Sequence, residues 1–375
     1  MATAAMNEDA CFLFRGDIRY DTRLRNIVHA FARMGNRCRV IQGAGEDADF
    51  ETADARVESF ACARSGPLGF VRYWRRSARH AAAIHARVWW AADLYSLPLA
   101  VRRARANGGH AVYDAREIFA HLGSLRARPL TQAFWRMLER RHIQRAQLVV
   151  ATGDLDARFL AERYRITPPL VLRNLPQYQT PKPNRRLHQM LGLPEDTPIA
   201  LYTGGLQEGR GIELMLAMAA QLPAAAFVFL GNGPLESRIR DTARTCPNVH
   251  HLNAVANEQV VEYTAGAAIG LALIEPISFS YRLALPNKLF EYIMAGIPVV
   301  VTDLPQMRDI VDEHKVGLVV PPGALSEAVA AARRLLTDAA FHAQCAANAR
   351  AAARVLSWDR EEEKFIAAAR AAGLM

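Results

Sequence analysis

Apolar residues along this chain alternate between two patterns: short uninterrupted runs, and longer stretches in which they recur every third or fourth position. "ACFLFRGD" (10–17) is an apolar run ending in a glycine turn, which reads as a strand and a loop. "TRLRNIVHAFARMG" (22–35) has apolar residues at 24, 27, 28 and 31, one helical stripe, stopped by Gly35. "RCRVIQG" (37–43) is the next strand. Strand, helix, strand is the unit of a parallel sheet. The alternation continues through "RVWWAA" (87–92), a helix over 97–107, "HAVYDA" (110–115), "RAQLVVATG" (145–153), a helix over 156–164 and "PLVLRNLP" (169–176).

The texture then changes. "QYQTPKPNRRLHQMLGLPEDTP" (177–198) is polar and proline-rich and ends before a fresh buried strand, "IALYTGG" (199–205). A domain boundary is expected here. A second alternating run follows through "AAFVFLGNG" (225–233), "VHHLNA" (249–254), "AIGLALI" (268–274), "IPVVVTD" (297–303) and "VGLVVPP" (316–322), with an Ala- and Arg-rich helical tail after it. A length of 375 residues also favours two domains over one. The expected organisation is an N-terminal α/β domain over 1–176, a linker over 177–198, a second α/β domain over 199–350 and a final helix over 351–375 packing back on the first domain.

Composition adds little to the fold and something to the chemistry. At 51% hydrophobic and 22% charged the chain is ordinary globular material. No apolar run reaches the roughly 18 residues of a membrane span. The start carries Glu8 and Asp9 and lacks a basic segment followed by an apolar one, so no signal peptide is expected. Five cysteines are scattered without a CxxC pair, as in free thiols of a reducing cytosol. Residues 1–176 hold 28 Arg, no Lys and 17 acidic residues, a net +11, while the remainder carries −2. Such a basic half points to an anionic partner: nucleic acid, an anionic membrane or a phosphorylated substrate. The plainer alternative is the arginine bias of a GC-rich genome. The stretch 69–90, "GFVRYWRRSARHAAAIHARVWW", interleaves arginine with Tyr73 and Trp74, which suits an interfacial helix on anionic lipid, a nucleic-acid backbone or a solvated helix on a sheet.

Three features of the second half bear on a site. In "LYTGGLQEGRGIELML" (201–216) a strand ends at Gly204 and Gly205, and Arg210 lies between Gly209 and Gly211 at the mouth of a helix. Helix N-termini bind phosphate, and arginine clamps phosphate oxygens. The stretch is neither a P-loop nor a Rossmann fingerprint. "FVFLGNGPLESRIR" (227–240) repeats strand, Gly-x-Gly turn and helix. In "ALPNKLFEYIMAGIPVVVTD" (284–303), Asn287 is placed as the N-cap of a helix on which Lys288 and Glu291 share one face. A lysine at a helix N-terminus opposes the dipole, a conflict that an anion held by both would resolve. A surface ion pair is the bland alternative.

These stretches, with "HKVGLVVPPG" and, in the first half, "DTRLRNIVHAFARMGNRCRVI", "AADLYSLPLAVRRARANGGHAVYDAREIF" and "RNLP", resemble the retaining GT-B glycosyltransferases of group 1 (glycosyltransferase family 4) in order and spacing. The resemblance implies two Rossmann-like, doubly wound domains facing a central cleft, and metal-independent transfer of a sugar to a hydroxyl of a glycan or lipid-linked acceptor. The donor would be a UDP- or GDP-linked nucleotide-sugar, with no further cofactor. Arg210 and Lys288 would neutralise the leaving diphosphate. Glu291 would accept hydrogen bonds from ribose hydroxyls, Gly16 would lie near the phosphates, and Asn253 to Val255 near the base. Gly204, Gly205, Asn287 and Leu289 complete the implied donor-binding set. Leu283 stands where the family often carries a second glutamate, and Glu275 is taken to replace it at the donor sugar. Gly205 stands where a basic residue is usual, and Arg116 and Ala92 where histidines are common. The implied location is cytoplasmic, with peripheral contact at the inner face of the membrane through the Arg-rich first half, and without nucleic acid.

Three rivals remain: a nucleotide-sugar 2-epimerase of the same fold, a non-catalytic scaffold, and a nucleic-acid binder. The Asp154/Asp156 pair of "GDLDA" reads as a helix start with Asp154 capping rather than a metal site, and the adjacent His250 and His251 point to opposite faces of a strand.

Overall fold

The computed structural model describes residues 6–62, 67–122, 125 and 128–375. Residues 1–5, part of the start read above for a leader, lie outside the described residues. The chain divides into two compact units, one formed by Met1–Asn174 with Glu361–Met375 and one by Leu175–Arg360.

The first unit is built on an eight-stranded sheet. Its elements are β1 (Met6–Phe14), α1 (Thr22–Arg33), β2 (Cys38–Ala44), β3 (Phe50–Glu51), β4 (Ala55–Ala61), α2 (Pro67–His80), β5 (Ile84–Ala91), α3 (Leu97–Asn107), β6 (His110–Ala115), α4 (Pro129–Ile143), β7 (Leu148–Ala151), α5 (Asp154–Tyr164) and β8 (Leu170–Val171). The order is β3-β4-β2-β1-β5-β6-β7-β8, parallel except for the short β3–β4 pair. Strand order reverses between β1 and β5, where ligands of such sheets bind beyond the carboxyl ends. The tandem Trp89 and Trp90 of β5 point to opposite faces, and both are fully buried. Trp90 packs edge-on against Phe31 of α1 and against Phe365.

Arginine serves this unit as internal bracing. Arg23 reaches Asp114 at 2.7 Å with both side chains buried, and Arg39 reaches Glu8 and Glu58 at 2.6 Å each. Arg116 bridges Asp21 and Asp114. These three arginines are matched by four carboxylates, so the basic excess of this unit lies in its other arginines. Ala92 is fully buried, with its amide on the Leu13 carbonyl. Asp154 opens α5 without capping it: the N-cap is Gly153 and the carboxylate pairs with Arg173 at 3.0 Å. Glycine tolerates the extended N-cap backbone, and the acid still meets the positive helix end.

The second unit starts with α6 (Arg186–Leu191), inside the stretch expected as a linker, where Leu187 is fully buried. Then come β9 (Ile199–Thr203), α7 (Ile212–Gln221), β10 (Ala226–Leu230), α8 (Glu236–Ala243), β11 (Val249–Leu252), α9 (Asn257–Thr264), β12 (Ile269–Ala272), α10 (Phe279–Arg282), α11 (Asn287–Ala295), β13 (Val299–Thr302), α12 (Pro305–His314), β14 (Gly317–Val320), α13 (Leu325–Thr337) and α14 (Ala339–Ala353). The six strands are all parallel, in the order β11-β10-β9-β12-β13-β14. Order reverses between β9 and β12. Strands buried on both faces read as unbroken apolar runs, as these do. Tyr292 of α11 fastens the two central strands: its hydroxyl accepts from the Thr203 amide at 3.0 Å and donates to the Leu271 carbonyl at 3.1 Å. A Cβ at Gly270 would fall 2.3 Å from the Tyr292 ring, so glycine makes the room. The last helix, α15 (Trp358–Ala371), begins in this unit and from Glu361 onward belongs to the first, where Phe365 meets Phe31.

Among the described residues no helix is long and apolar enough to cross a membrane, and the five cysteines are free.

Candidate functional site: the carboxyl ends of β9 and β12

The strand-order reversal places the loop after β9 beside the loop after β12. The first holds Gly204, Gly205 and Arg210; the second holds Glu275. The loops are tied together, since the Glu275 amide donates to the Gly209 carbonyl at 3.0 Å. Gly204 has φ +114°, a left-handed conformation that only glycine adopts readily. Behind it, a Cβ at Gly231 would lie 1.9 Å from the Gly204 carbonyl oxygen, so the β10 turn presses against the β9 turn. Gly205 is different: a Cβ there would meet nothing closer than 4.0 Å, and its carbonyl accepts from the Tyr202 hydroxyl at 2.7 Å.

Lys288 lies on the first turn of α11. Its helix begins with Pro286 as N-cap rather than Asn287, so Asn287 is an exposed first-turn residue whose side chain caps nothing. Proline presets the extended cap conformation, which shifts the boundary by one residue. Lys288 itself is only 7% exposed, and its Nζ sits 3.5 Å above the centroid of the Tyr202 ring. A Cβ at Gly204 would be 3.5 Å from that Nζ. Among the described residues the ammonium makes no salt bridge. Burial, and then repulsion from Arg210, hold its pKa well below the ordinary lysine value, while Glu291 pulls the other way.

Glu291 accepts from Thr203 Oγ1 at 3.2 Å. Burial raises its pKa, opposed by Lys288 and by the Thr203 hydroxyl. Arg210 stacks over the Tyr281 ring at 4.9 Å and likewise makes no salt bridge among the described residues. Two cations thus feel each other's charge without a carboxylate bound to either. The helices that open beside them, α7 and α11, have no side-chain N-cap. Their first N–H groups add positive potential to the same place.

The other sequence candidates fall less closely together. Asn253 is exposed beyond the end of β11, and its neighbour Ala254 donates to Asn232 Oδ1 at 3.1 Å. Val255 is half-buried against the β9/β10 core. Leu289 is 0% exposed in the core under α11, and its amide donates to Pro286, so its side chain has no surface for a ligand. Leu283 ends α10, its carbonyl accepting from Gln306 Nε2 at 2.5 Å. His251 bonds the Gly231 carbonyl at 2.9 Å, a structural role. Tyr202, Thr203, Tyr281 and Tyr292 all shape this site and none is singled out by the sequence; nothing in a single sequence says that an aromatic on β9 lies under a lysine far along the chain.

Gly16 belongs to the first unit. It lines a cavity of about 590 Å³ with Arg15, Asp17, Arg19, Tyr20 and Glu46. Arg15 lies over the rings of Phe70 and Tyr95, at 4.4 and 5.0 Å, and its amide donates to Asp93 at 2.8 Å. Among the described residues no group of three or more His, Cys, Asp or Glu side chains gathers as for a metal ion.

Residues 197–338 match the family described as "Glycosyl transferases group 1". This segment is a group 1 glycosyltransferase domain. It contains Arg210, Glu275, Lys288 and Glu291 and both loops of the strand reversal. The chain is 24% identical over 247 residues to D-inositol 3-phosphate glycosyltransferase of Nocardioides sp., covering 59% of this chain and 53% of that one. Across the curated relatives, matched stretches span between 29% and 63% of the relatives' own lengths. Among solved structures, sucrose-phosphate synthase of Thermosynechococcus elongatus superposes with a TM-score of 0.78 at 17% identity, covering 96% of this chain and 98% of that one. HepE of Anabaena, solved in complex with UDP-glucose, gives 0.73 at 15% identity, covering 96% and 99%. The chain therefore has the two-domain GT-B fold, and the group 1 match lies within its second unit.

Proposed function

We propose that the chain is a glycosyltransferase that takes its sugar from a nucleotide-sugar donor and passes it, with retention at the anomeric carbon and without a metal, to a hydroxyl of a glycan or lipid-linked acceptor. The observation that carries this reading is the pair of unbridged cations, Arg210 and Lys288, coupled to each other at the β9/β12 reversal beside two uncapped helix starts. An ammonium buried beside an arginine is poorly stabilised unless an anion is shared. A diphosphate supplies that anion, and the group 1 match over the same residues supports it. HepE, described as bound to UDP-glucose, lends support to a uridine-linked donor.

In this reading the bond from anomeric carbon to diphosphate oxygen breaks, the acceptor oxygen bonds that carbon, and the acceptor proton passes to the departing phosphate. Arg210, Lys288 and the helix N–H groups stabilise charge growing on the diphosphate. Glu291, held by Thr203, accepts from ribose hydroxyls. Glu275, on the loop tied to Gly209, is assigned to the donor sugar. The family 4 assignment and a place at the inner membrane face belong to the same proposal.

The test is a thermal-shift screen against UDP, GDP, ADP and their sugars, followed by product analysis with and without acceptor. A shift from one nucleoside diphosphate family, lost in Arg210→Gln and Lys288→Met, is expected. Nucleotide-independent melting, or an isomerised nucleotide-sugar formed without acceptor, overturns it.

A further inference from the structure

Arg210 is held by a ring and not by an acid. Its guanidinium carbon lies 4.9 Å from the ring centroid of Tyr281, on α10. Two acids share the same pair of loops, Glu208 and Glu275. Among the described residues neither forms a salt bridge with Arg210, and the guanidinium makes no hydrogen bond. Arg19, Arg76, Arg116 and Arg186 also lie over aromatic rings, and each of them is bound to a carboxylate as well. An arginine that passes over two carboxylates on its own loops and rests on a tyrosine is a different arrangement.

Close contacts on both loops set this seat. Ser278 opens α10, its Oγ accepting from the Tyr281 amide at 3.2 Å. Arg210 is flanked by glycines that leave no room for a side chain. A Cβ at Gly209 would fall 2.6 Å from the Tyr281 ring and 2.5 Å from Ile277, and one at Gly211 would fall 2.0 Å from the Leu273 carbonyl oxygen. The backbone on either side of the arginine is thus pressed onto the segment 273–281, which carries the ring. The Tyr281 hydroxyl makes no hydrogen bond among the described residues, so the face of the ring is what the residue supplies.

A carboxylate in this place would occupy the N–H donors and cancel the charge. An aromatic face attracts the cation through its quadrupole and leaves the in-plane N–H groups uncommitted. A side chain ordered before its ligand arrives also loses less freedom on binding. We infer that Tyr281 is a positioning residue: its ring holds the Arg210 guanidinium in place, still fully charged and with its donors open, for the donor diphosphate. The seat is a feature of the free protein, while its use for a diphosphate rests on the donor site proposed above.

Two measurements on the full chain test this. The first needs no ligand. The chain has four lysines, so labelling with ε-¹³C-lysine lets the titration of Lys288 be followed by NMR. Arg210 and Glu291 are the charged groups that act on it. In Tyr281→Leu the arginine is released toward solvent and its repulsion weakens, so the Lys288 titration moves to higher pH. In Tyr281→Phe it stays where it is, and on an Arg210→Gln background Tyr281→Leu moves it no further. The second measurement is the binding of UDP, with uridine as the uncharged control. Tyr281→Leu weakens UDP by about two- to ten-fold, the effect of having to order one long side chain on binding, and leaves uridine unchanged. Tyr281→Phe binds UDP as wild type does. Should Tyr281→Leu not fold, Tyr281→Met carries the same expectations. A Lys288 titration left in place by loss of the ring, or a loss of UDP affinity that persists on the Arg210→Gln background, overturns the inference. Failure of wild type to bind any of UDP, GDP and ADP overturns the donor reading and the use of Arg210 with it, while the lysine titration still decides the seat.

Discussion

Replacing Lys288 by methionine separates the site's cost from its use. The lysine is buried over Tyr202, its nearest opposing charge, Glu291, is not in salt-bridge contact, and Arg210 repels it. Substituting an apolar residue of similar length for a buried ion often stabilises by about 1–4 kcal/mol. Loss of the cation–π contact with Tyr202 returns about 0.5–2 kcal/mol of that. The unliganded Lys288→Met protein should therefore gain about 1–2 kcal/mol, and at about 2–4 °C per kcal/mol for a unit of this size its Tm should rise by several degrees. The gain also has a pH signature. The native pKa lies below the unfolded one, so between the two values the unfolded chain binds more protons and wild-type stability rises with pH. The penalty is full below the native value and vanishes as pH approaches the unfolded value, and the advantage of the variant should shrink in the same direction.

Ligand works against the variant's gain. At a nucleoside diphosphate concentration of about 100 times Kd, wild type should gain about 2.7 kcal/mol. Losing one charge-assisted contact of about 1.5–3 kcal/mol raises Kd by about 10- to 150-fold, leaving the variant about 0.3–1.4 kcal/mol at the same concentration. Differential scanning fluorimetry with and without UDP reads both effects. A variant that melts well below wild type while keeping the full UDP shift would mean that Lys288 is a structural residue, and the diphosphate assignment would fall with it.

Three further outcomes follow from the same geometry. Arg210→Gln should weaken UDP binding by about 10- to 100-fold, since hydrogen bonds to charged groups contribute about 1.5–3 kcal/mol, and should move the titration of Lys288 to higher pH by removing its repulsion; calorimetric titration over a pH series checks both. In wild type, a bound diphosphate favours the ammonium, so binding takes up a proton above the free-protein pKa and Kd rises with pH by at most about ten-fold per unit; paired buffers of different ionisation enthalpy count the proton, and an unchanged slope in Lys288→Met would assign it elsewhere. Gly231→Ala places a Cβ 1.9 Å from the Gly204 carbonyl and should lose about 1–3 kcal/mol, whereas Gly205→Ala, with nothing nearer than 4.0 Å, should stay within about 0.5 kcal/mol in a thermal melt.

What was legible in the sequence follows from what each element buries. β9, β10 and β13 are covered on both faces, so their residues form apolar runs that no other element produces. β4 escaped notice because its buried positions include Glu58, which is paired with Arg39 on the neighbouring β2 and hydrogen-bonded to His80 at the end of α2. A strand whose core is partly an ion network carries no apolar signature. α4 is equally quiet: Trp135, Glu139 and Ile143 are its buried positions, and one of those is an acid. Cap positions slipped at Asn287 and Asp154 because Pro286 and Gly153 take the cap conformation without a side-chain bond, a matter of backbone rather than residue preference. At the site, the conflict between a lysine and a helix N-terminus was visible in a few residues. Its resolution needed Tyr202 and Arg210, many positions earlier, which only the sheet order brings near.

The burial of Lys288 speaks against the surface-pair reading of Lys288 and Glu291. A surface ion pair would be exposed, close, and able to relax toward unperturbed titration. Here the lysine is buried, no salt bridge joins the pair, and the two pKa values are displaced in the directions that weaken charge on each: the lysine down, the glutamate up. Both groups are held where their ionised forms are poorly supported by the protein alone. Thr203 hydrogen-bonds the glutamate and the Tyr202 ring lies under the lysine. A ligand with an anion at one end and hydroxyl donors a few ångströms away would restore both charges at once, and each restored charge would strengthen its hold on the other. The coupling makes its own demand: with Glu291→Gln, UDP should bind more weakly, and the dependence of its Kd on pH should begin at a lower pH, because the Lys288 ammonium has lost the one neighbour that favours it.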